Sequence, residues 1–147
     1  MRILIVTQHV RASAQAVPLA AACISAALSS EHQQQTEIIN LYPPLDLNLV
    51  SEQMLAKQPD IIAFSLTLWS RLPLLALARR LRALQPRLFL LAGGPETAGD
   101  CAELISLGCL DGVIRGEGEL AFAALVDSLD RGLLMAGIDG FISAAAA

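Results

Sequence analysis

The sequence predicts a single α/β domain built on a doubly wound parallel sheet, from the order of its hydrophobic segments and from its length. Short apolar runs alternate with longer segments of helical periodicity along the 147-residue chain. Parallel strands need crossover connections, which are right-handed, so regular alternation indicates a parallel sheet with helices on both faces. A chain of this length is expected to form one compact core without disulfides or a structural metal.

Five short runs have the composition of buried strands. Each is apolar or β-branched and is bounded by Pro, Gly, Asp or polar residues. They cover residues 3–7, 37–41, 61–68, 88–92 and 112–115. Five such strands predict the flavodoxin-like order 2-1-3-4-5, with a core built from Ile61, Ile62, Phe64, Leu90 and Val113.

Five longer segments repeat apolar residues at helical spacing. They cover residues 14–29, 49–57, 72–84, 97–107 and 119–131. In the third, the arginines avoid the face formed by Leu74, Leu77, Leu81 and Leu84. The glutamines at 33–35 are expected to form a loop, with His32 on its surface.

Composition excludes several classes of partner. The net charge is −4 with a single lysine, so no basic stripe is available for nucleic acid. Mean hydropathy is high at +0.56, yet no apolar run reaches the roughly 18 residues of a membrane span. The N-terminus does not resemble a signal peptide, so we expect a cytoplasmic protein that binds no membrane.

The three cysteines have no spacing typical of a zinc or iron-sulfur site. Cys23, Cys101 and Cys109 are expected to be buried small apolar residues.

Ligands of open parallel sheets bind beyond the carboxyl ends of the strands. Here the corresponding loops begin near Gln8, Ser65, Gly93 and Gly116. The pair Gly93-Gly94 permits close approach to the backbone, either by a ligand or simply by the chain in a tight turn. Strand alternation extended past Ser65 would put Ser65 and Thr67 on the same side.

Three segments together carry a family resemblance. Pro-Asp-Ile-Ile-Ala-Phe-Ser at 59–65, Gly-Gly-Pro-Glu at 93–96 and Asp-Gly-Val-Ile-Arg-Gly-Glu-Gly-Glu at 111–119 follow the third, fourth and fifth strands in order. This arrangement resembles the cobalamin-binding domain that precedes the catalytic barrel in cobalamin-dependent radical S-adenosylmethionine (radical SAM) proteins.

The resemblance implies a bound corrinoid at this edge of the sheet. Ser65 and Thr67 would line the pocket for the nucleotide tail and lower base, Gly93 and Gly94 would let the tail pass, and the glycines after the fifth strand would border it. The implied cofactor-binding residues are Gln8, His9, Ser65, Leu66, Thr67, Gly93, Gly94, Pro95, Gly116, Glu117 and Gly118.

The first loop departs from the wider cobalamin-binding pattern Asp-x-His-x-x-Gly. Thr7 and Ala12 stand at the aspartate and glycine positions, so only His9 remains. Without an acceptor to orient the imidazole, His9 is not expected to ligate cobalt, and the resemblance implies cobalamin with its base off the metal.

Other motifs match less well. Residues 116–121 fit Gly-x-Gly-x-x-Ala, but they lie in the last strand-helix unit and carry two glutamates where a pyrophosphate would bind. Glu117 and Glu119 are better explained as first-turn acids that interact favourably with the helix dipole. Trp69, the single tryptophan, packs either on a ligand or neighbouring domain or as an anchor over the core.

The chain lacks the three clustered cysteines of a radical SAM iron-sulfur site. We therefore expect a cobalamin domain over residues 1–135. Residues 136–147 would form a short strand and the start of a linker toward a separate radical SAM barrel, which would hold the four-iron cluster and S-adenosylmethionine. The origin of the four terminal alanines stays open, as does the choice between methyltransferase-like and anaerobic cyclase-like chemistry. Two alternatives are a docking domain without cobalamin and a flavin- or nucleotide-binding enzyme domain.

Overall fold

The computed structural model describes residues 1–99 and 101–144, so three of the four terminal alanines lie outside the described residues. A central sheet has the order β2-β1-β3-β4-β5-β6. The first five strands are parallel, and β6 joins β5 in antiparallel orientation. The predicted order 2-1-3-4-5 is confirmed, with one strand added at the edge.

Six strands and six helices alternate along most of the chain. The strands are β1 (Ile3–Gln8), β2 (Thr36–Leu41), β3 (Ile61–Ser65), β4 (Phe89–Gly93), β5 (Gly112–Ile114) and β6 (Phe141–Ser143). The helices are α1 (Leu19–Ala26), α2 (Ser30–Gln34), α3 (Leu47–Ala56), α4 (Arg71–Leu84), α5 (Cys101–Ser106) and α6 (Glu119–Asp130). A single turn of 3-10 helix, Pro95–Thr97, follows β4.

Two apolar layers cover the sheet. One packs α3, α4 and α5 on it, and the other packs α1 and α6 on the opposite face. The five core residues predicted from the sequence are all at most 2% exposed. The leucine face of α4 is confirmed for Leu74, Leu77 and Leu81, whereas Leu84 is 49% exposed because it lies at the helix end.

Helix boundaries differ from the predicted ones where local chemistry intervenes. The first helix was expected from residue 14 but begins after Pro18, because proline disfavours helical geometry in the residue before it. The helix expected over residues 49–57 is α3, which begins two residues earlier at Leu47. The Asp46 carboxylate accepts hydrogen bonds from two amides of its first turn. The expected helix over 97–107 shortens to the 3-10 turn and α5, with residue 100 outside the described part.

The third strand is shorter than predicted. It was expected to reach residue 68 but ends at Ser65. The amide of Thr67 donates to the Ser70 hydroxyl, and the Thr67 carbonyl accepts from the amides of Ser70 and Arg71. These bonds turn the chain into α4, so strand alternation no longer applies to Thr67.

His32 is not the surface loop residue that the sequence indicated. It lies in α2 with 6% exposure, and its two ring nitrogens face carboxylates of α6. Nδ1 lies 3.3 Å from Asp127 Oδ1, and Nε2 lies 3.5 Å from Asp130 Oδ2. The contact pins the short helix α2 onto α6, a long-range pairing that local sequence does not reveal.

The cysteines are only partly as expected. Cys101 and Cys109 are buried, and burial raises the pKa of the Cys109 thiol. Cys23 is exposed on α1, so its expected burial is wrong. No helix within the described residues has both the length and the apolar character needed to cross a membrane.

The edge strand β6 depends on a glycine of β5. A Cβ built on Gly112 would lie 2.3 Å from Cε2 of Phe141 and 2.9 Å from the carbonyl oxygen of Ile142. The Phe141 ring therefore packs directly on the backbone of its neighbouring strand. Only glycine permits this close packing.

We expect Gly112→Ala to destabilise the domain by about 1–3 kcal/mol, because the added methyl group displaces Phe141 and strains β6. Gly99→Ala is the matched control, since a Cβ there meets nothing within 4 Å. Urea unfolding of both variants measures the difference. Equal midpoints would show that the Phe141 contact contributes nothing to stability.

Candidate functional site

A cleft opens at the carboxyl edge of the sheet, on the face covered by α1 and α6. It encloses about 230 Å³. Its floor comes from four parallel strands and its walls from the two helices. The lining residues are Ile5, Ala20, Ala21, Ile24, Ala63, Phe64, Ser65, Leu91, Gly93, Gly94, Ile114, Gly116, Glu117, Gly118, Glu119 and Phe122.

The sheet topology explains why these residues meet. Ser65 and Gly93 end β3 and β4 and are direct partners in the sheet register. Ile114 ends β5, and Gly118 is the residue from which α6 begins. Residues more than fifty positions apart in sequence therefore converge because parallel strands end together.

Polar side chains are few in the cleft. Among the described lining residues only Ser65, Glu117 and Glu119 carry polar side chains. Ser65 stands at the end of its strand, and the two glutamates stand where α6 begins. The cleft is therefore an apolar slot whose polar groups lie at its mouth.

The two successive glycines have different roles. Gly94 has a φ of +105°, and a Cβ on it would lie 2.7 Å from the carbonyl oxygen of Leu66. That crossing is fixed on both sides, because the Leu66 amide donates to the Gly93 carbonyl and the Leu66 carbonyl accepts from the Glu96 amide. What approaches Gly94 is the chain itself, so the turn interpretation holds for this residue.

Gly93 has room for a side chain instead. A Cβ there would make ordinary contact with Ile114 at 3.8 Å, and Gly93 lines the cleft. Its missing side chain keeps the slot open without being required by the backbone.

Thr97 holds the loop after β4 against the end of β5. This buried side chain is 0% exposed, and its hydroxyl lies 2.8 Å from the Gly94 carbonyl and 2.7 Å from the Ile114 carbonyl. No local pattern indicates this role, since the contact to Ile114 spans seventeen residues.

The opposite wall is set by Gly118 and α1. A Cβ on Gly118 would lie 2.8 Å from Cδ1 of Ile24. The absence of a side chain thus brings the start of α6 against α1. Gly116, with a φ of +84°, has nothing within 4 Å and leaves the rim open.

The structure brings together six of the residues implied by the family resemblance and separates five. Ser65, Gly93, Gly94, Gly116, Glu117 and Gly118 line the cleft, whereas Gln8, His9, Leu66, Thr67 and Pro95 do not. Leu66 is fully buried in the opposite apolar layer and meets the site only through its backbone. Thr67 was expected beside Ser65, but its hydroxyl pairs with that of Ser70 at 2.9 Å.

The imidazole of His9 is held by neighbouring residues outside the cleft. Nε2 lies 2.8 Å from Asn40 Oδ1, and the ring stacks on Tyr42 with centroids 5.3 Å apart. Asn40 lies in β2 and its amide oxygen can accept from this ring nitrogen, so the expectation that His9 lacks an acceptor to orient its imidazole is wrong.

Gln8 and Trp69 form a second feature of the rim. The Trp69 indole donates to the Gln8 carbonyl at 2.9 Å, and the ring is 54% exposed. The Gln8 side chain is buried, and its Oε1 has no hydrogen-bond partner among the described residues. Trp69 is thus anchored through its indole nitrogen, while about half of its surface is exposed.

The α1 and α6 walls of the cleft were not predicted from the sequence. Ala20, Ala21, Ile24 and Phe122 form them, and none carries a functional side chain. The only sequence signal was the run of small residues in α1, which allows close approach to a ligand or to another helix.

No group of three or more His, Cys, Asp or Glu side chains within the described residues is placed to hold a metal ion. The lining residues offer a bound molecule apolar contact and the polar side chains of Ser65, Glu117 and Glu119.

The fold and the cleft define a class: a flavodoxin-like α/β domain that offers an apolar slot at the carboxyl edge of its sheet. Comparison with protein families agrees with this class and narrows it. The B12 binding domain model matches residues 9–126, and the chain belongs to that family.

Individual relatives are larger proteins. An uncharacterized methyltransferase of Pyrococcus horikoshii is 28% identical over 130 residues, which cover 84% of this chain and 27% of that protein. The radical S-adenosylmethionine methyltransferase TsrM from Kitasatospora setae, solved with its tryptophan substrate and a SAM analog, superposes over 97% of this chain and 28% of its own, with a TM-score of 0.71 and 18% identity.

A second solved relative contains the cofactor. The cobalamin-dependent S-adenosylmethionine radical enzyme OxsB, with aqua-cobalamin bound, matches 96% of this chain and 20% of its own length, with a TM-score of 0.71 and 14% identity. The chain therefore spans between a fifth and three tenths of these relatives' lengths, and the two structures show that the fold is shared.

We expect Gly94→Ala to lower the melting temperature of the ligand-free domain by several degrees, because it forces a Cβ against Leu66 at positive φ. Gly93→Ala, its neighbour, should melt close to the parent because the added methyl group meets only ordinary contacts. Differential scanning calorimetry of the two variants tests the assignment, which fails if Gly93→Ala is the more destabilised.

Proposed function

We propose that this chain binds cobalamin at the carboxyl edge of its sheet and positions it for chemistry performed on another domain. Membership of the B12 binding domain family and the shared fold with cobalamin-dependent radical SAM enzymes support the proposal. The observation that carries it is the apolar slot between α1 and α6, which opens at the end of β3, β4 and β5.

The dimensions of the slot fit part of a large ligand. Clefts that enclose a whole drug-sized molecule are typically about 300–1,000 Å³, whereas this one encloses about 230 Å³. A nucleotide tail with its lower base would enter the slot, and the corrin ring would lie outside it over the strand ends. Ser65 would donate its hydroxyl to the base, and Gly93 would leave the path open.

The rim has the character needed to receive a large apolar ring. Five side chains at this edge are more than half exposed: Val10, Leu68, Trp69, Leu72 and Leu120. Where such side chains form one contiguous patch, they mark an interaction surface. In the proposed complex, the corrin and the neighbouring domain would cover them.

When bound, cobalamin supplies the reactive cobalt centre. The residues of this chain would bind the tail, fix the orientation of the ring and exclude water from the slot. Residues 1–135 would form this domain, and residues 136–147 would lead toward a radical SAM domain of the kind named in TsrM and OxsB. Methyl transfer and ring-forming chemistry both remain compatible with such an arrangement.

One observation favours a second candidate, a docking domain that has lost cobalamin. Nε2 of His9 is engaged by Asn40 and the ring stacks on Tyr42, so this nitrogen is not free to bind a metal. A flavin mononucleotide or ATP domain is less compatible, because Glu117 and Glu119 would face a terminal phosphate that is more highly charged than the phosphodiester of a cobalamin tail. Absorbance titration with cobalamin, flavin mononucleotide and ATP separates the three functions.

We expect Gly93→Val to abolish cobalamin binding, because the side chain would fill the slot, while Ser65→Ala weakens binding several-fold through loss of one hydrogen bond, about 1 kcal/mol. Titration followed by absorbance measures both, with the melting temperature of each ligand-free variant as the control for folding. Normal binding by a folded Gly93→Val variant would place the tail elsewhere.

We expect bound cobalamin to show a base-off spectrum that is almost unchanged in His9→Ala, since Nε2 of His9 is committed to Asn40. Asn40→Ala is the companion variant, because it frees the imidazole without removing it. A spectral shift in His9→Ala would identify His9 as a cobalt ligand after all.

A further inference from the structure

The interior of the cleft lacks hydrogen-bonding side chains. Its floor consists of Ile5, Ala63, Leu91 and Ile114, which are 1–9% exposed. Its inner walls add Ala21, Ile24 and Phe122. A flat ring inserted here would contact methyl, methylene and aromatic groups on every side.

The backbone of the floor offers little more. Ile5 pairs with Ala63, and Ala63 pairs with Leu91, in the parallel ladder between β1, β3 and β4. Amides and carbonyls in a central sheet are already paired with neighbouring strands. The inserted ring would therefore find no free backbone donor or acceptor beneath it.

Among the described lining residues, polar side chains occur only at the mouth. The Ser65 hydroxyl stands at the end of β3, and the carboxylates of Glu117 and Glu119 stand at the beginning of α6. Ser65 supplies one hydroxyl group, enough for one polar atom at the edge of a ring. The slot is thus matched to a ring that has a single polar edge and is otherwise apolar.

We infer that the cleft selects among cobamides by their lower base, favouring benzimidazole-type bases over purines. The inference rests on the proposed function, in which this slot receives the base detached from cobalt. A detached benzimidazole has one free ring nitrogen, which the Ser65 hydroxyl can satisfy. Adenine adds two further ring nitrogens and an amino group, and the apolar interior would leave these without partners.

The cost of unpaired polar groups sets the expected preference. Each buried group that loses its water without gaining a partner weakens binding, and apolar pockets typically discriminate against added polar groups by about tenfold to a hundredfold. We therefore expect an adenine-containing cobamide to bind at least tenfold more weakly than cobalamin. Cobinamide, which lacks the nucleotide tail, should also bind more weakly because it leaves the slot empty.

The test is equilibrium dialysis of the 147-residue chain against cobalamin, adeninylcobamide and cobinamide. A dissociation constant for adeninylcobamide that is at least tenfold higher than that for cobalamin supports the inference. Equal constants for cobalamin and adeninylcobamide overturn the inference while the proposed function stands. Equal constants for cobalamin and cobinamide show that the slot does not hold the base, and no binding by any probe removes the proposed function itself.

A substitution on the floor tests the origin of the preference. Ala63→Ser puts one hydroxyl beneath the inserted ring and should narrow the ratio of the two dissociation constants several-fold. The matched control is Ala123→Ser, a half-buried alanine of α6 that packs on the same apolar layer outside the cleft. A ratio that is unchanged in Ala63→Ser, or that narrows equally in Ala123→Ser, contradicts selection by the apolar floor.

Discussion

The geometry of the site depends on one crossing of the backbone, where the chain after β4 passes over the chain after β3. The Leu66 amide donates to the Gly93 carbonyl, and the Leu66 carbonyl accepts from the Glu96 amide. These two hydrogen bonds hold the ends of β3 and β4 together. The crossing leaves no room for a Cβ on Gly94, whose virtual Cβ would lie 2.7 Å from the Leu66 carbonyl oxygen. Thr97 then ties the same loop to the end of β5. Three strand ends are thereby fixed as one rim.

Small residues on the other side of the slot give it its depth. Gly118 lets α6 begin against Ile24, and Ala20 and Ala21 keep the facing surface of α1 flat. Larger side chains at these positions would either fill the slot or push the two helices apart. The cleft therefore exists because side chains are absent at its edges, whereas its interior is closed by ordinary core packing around Phe122 and Leu91.

The site divides into a slot and a platform with different chemistry. The slot is narrow, apolar and lined by fixed elements. The platform consists of the exposed rim side chains Val10, Leu68, Trp69, Leu72 and Leu120, among which Trp69 is anchored through its indole to Gln8. Such a surface gives position and shape but few reactive groups. This is the character that the proposed function requires of the domain.

The sequence by itself determined the fold class, the strand order, the buried strands and the glycine-rich edge, because hydrophobic periodicity and turn residues act over short distances. Ser65, Gly93 and the 116–118 segment, which the family resemblance implied as cofactor-binding residues, line the cleft. Two predictions about side chains are wrong: His32 is buried against the distant helix α6, and the Thr67 hydroxyl pairs with that of Ser70 in the turn after β3. Likewise, Leu66 leaves no room for a side chain at Gly94, and α1 supplies a wall without any functional side chain. Only the tertiary structure decided these points, because each depends on which groups the folded chain brings within a few ångströms of one another.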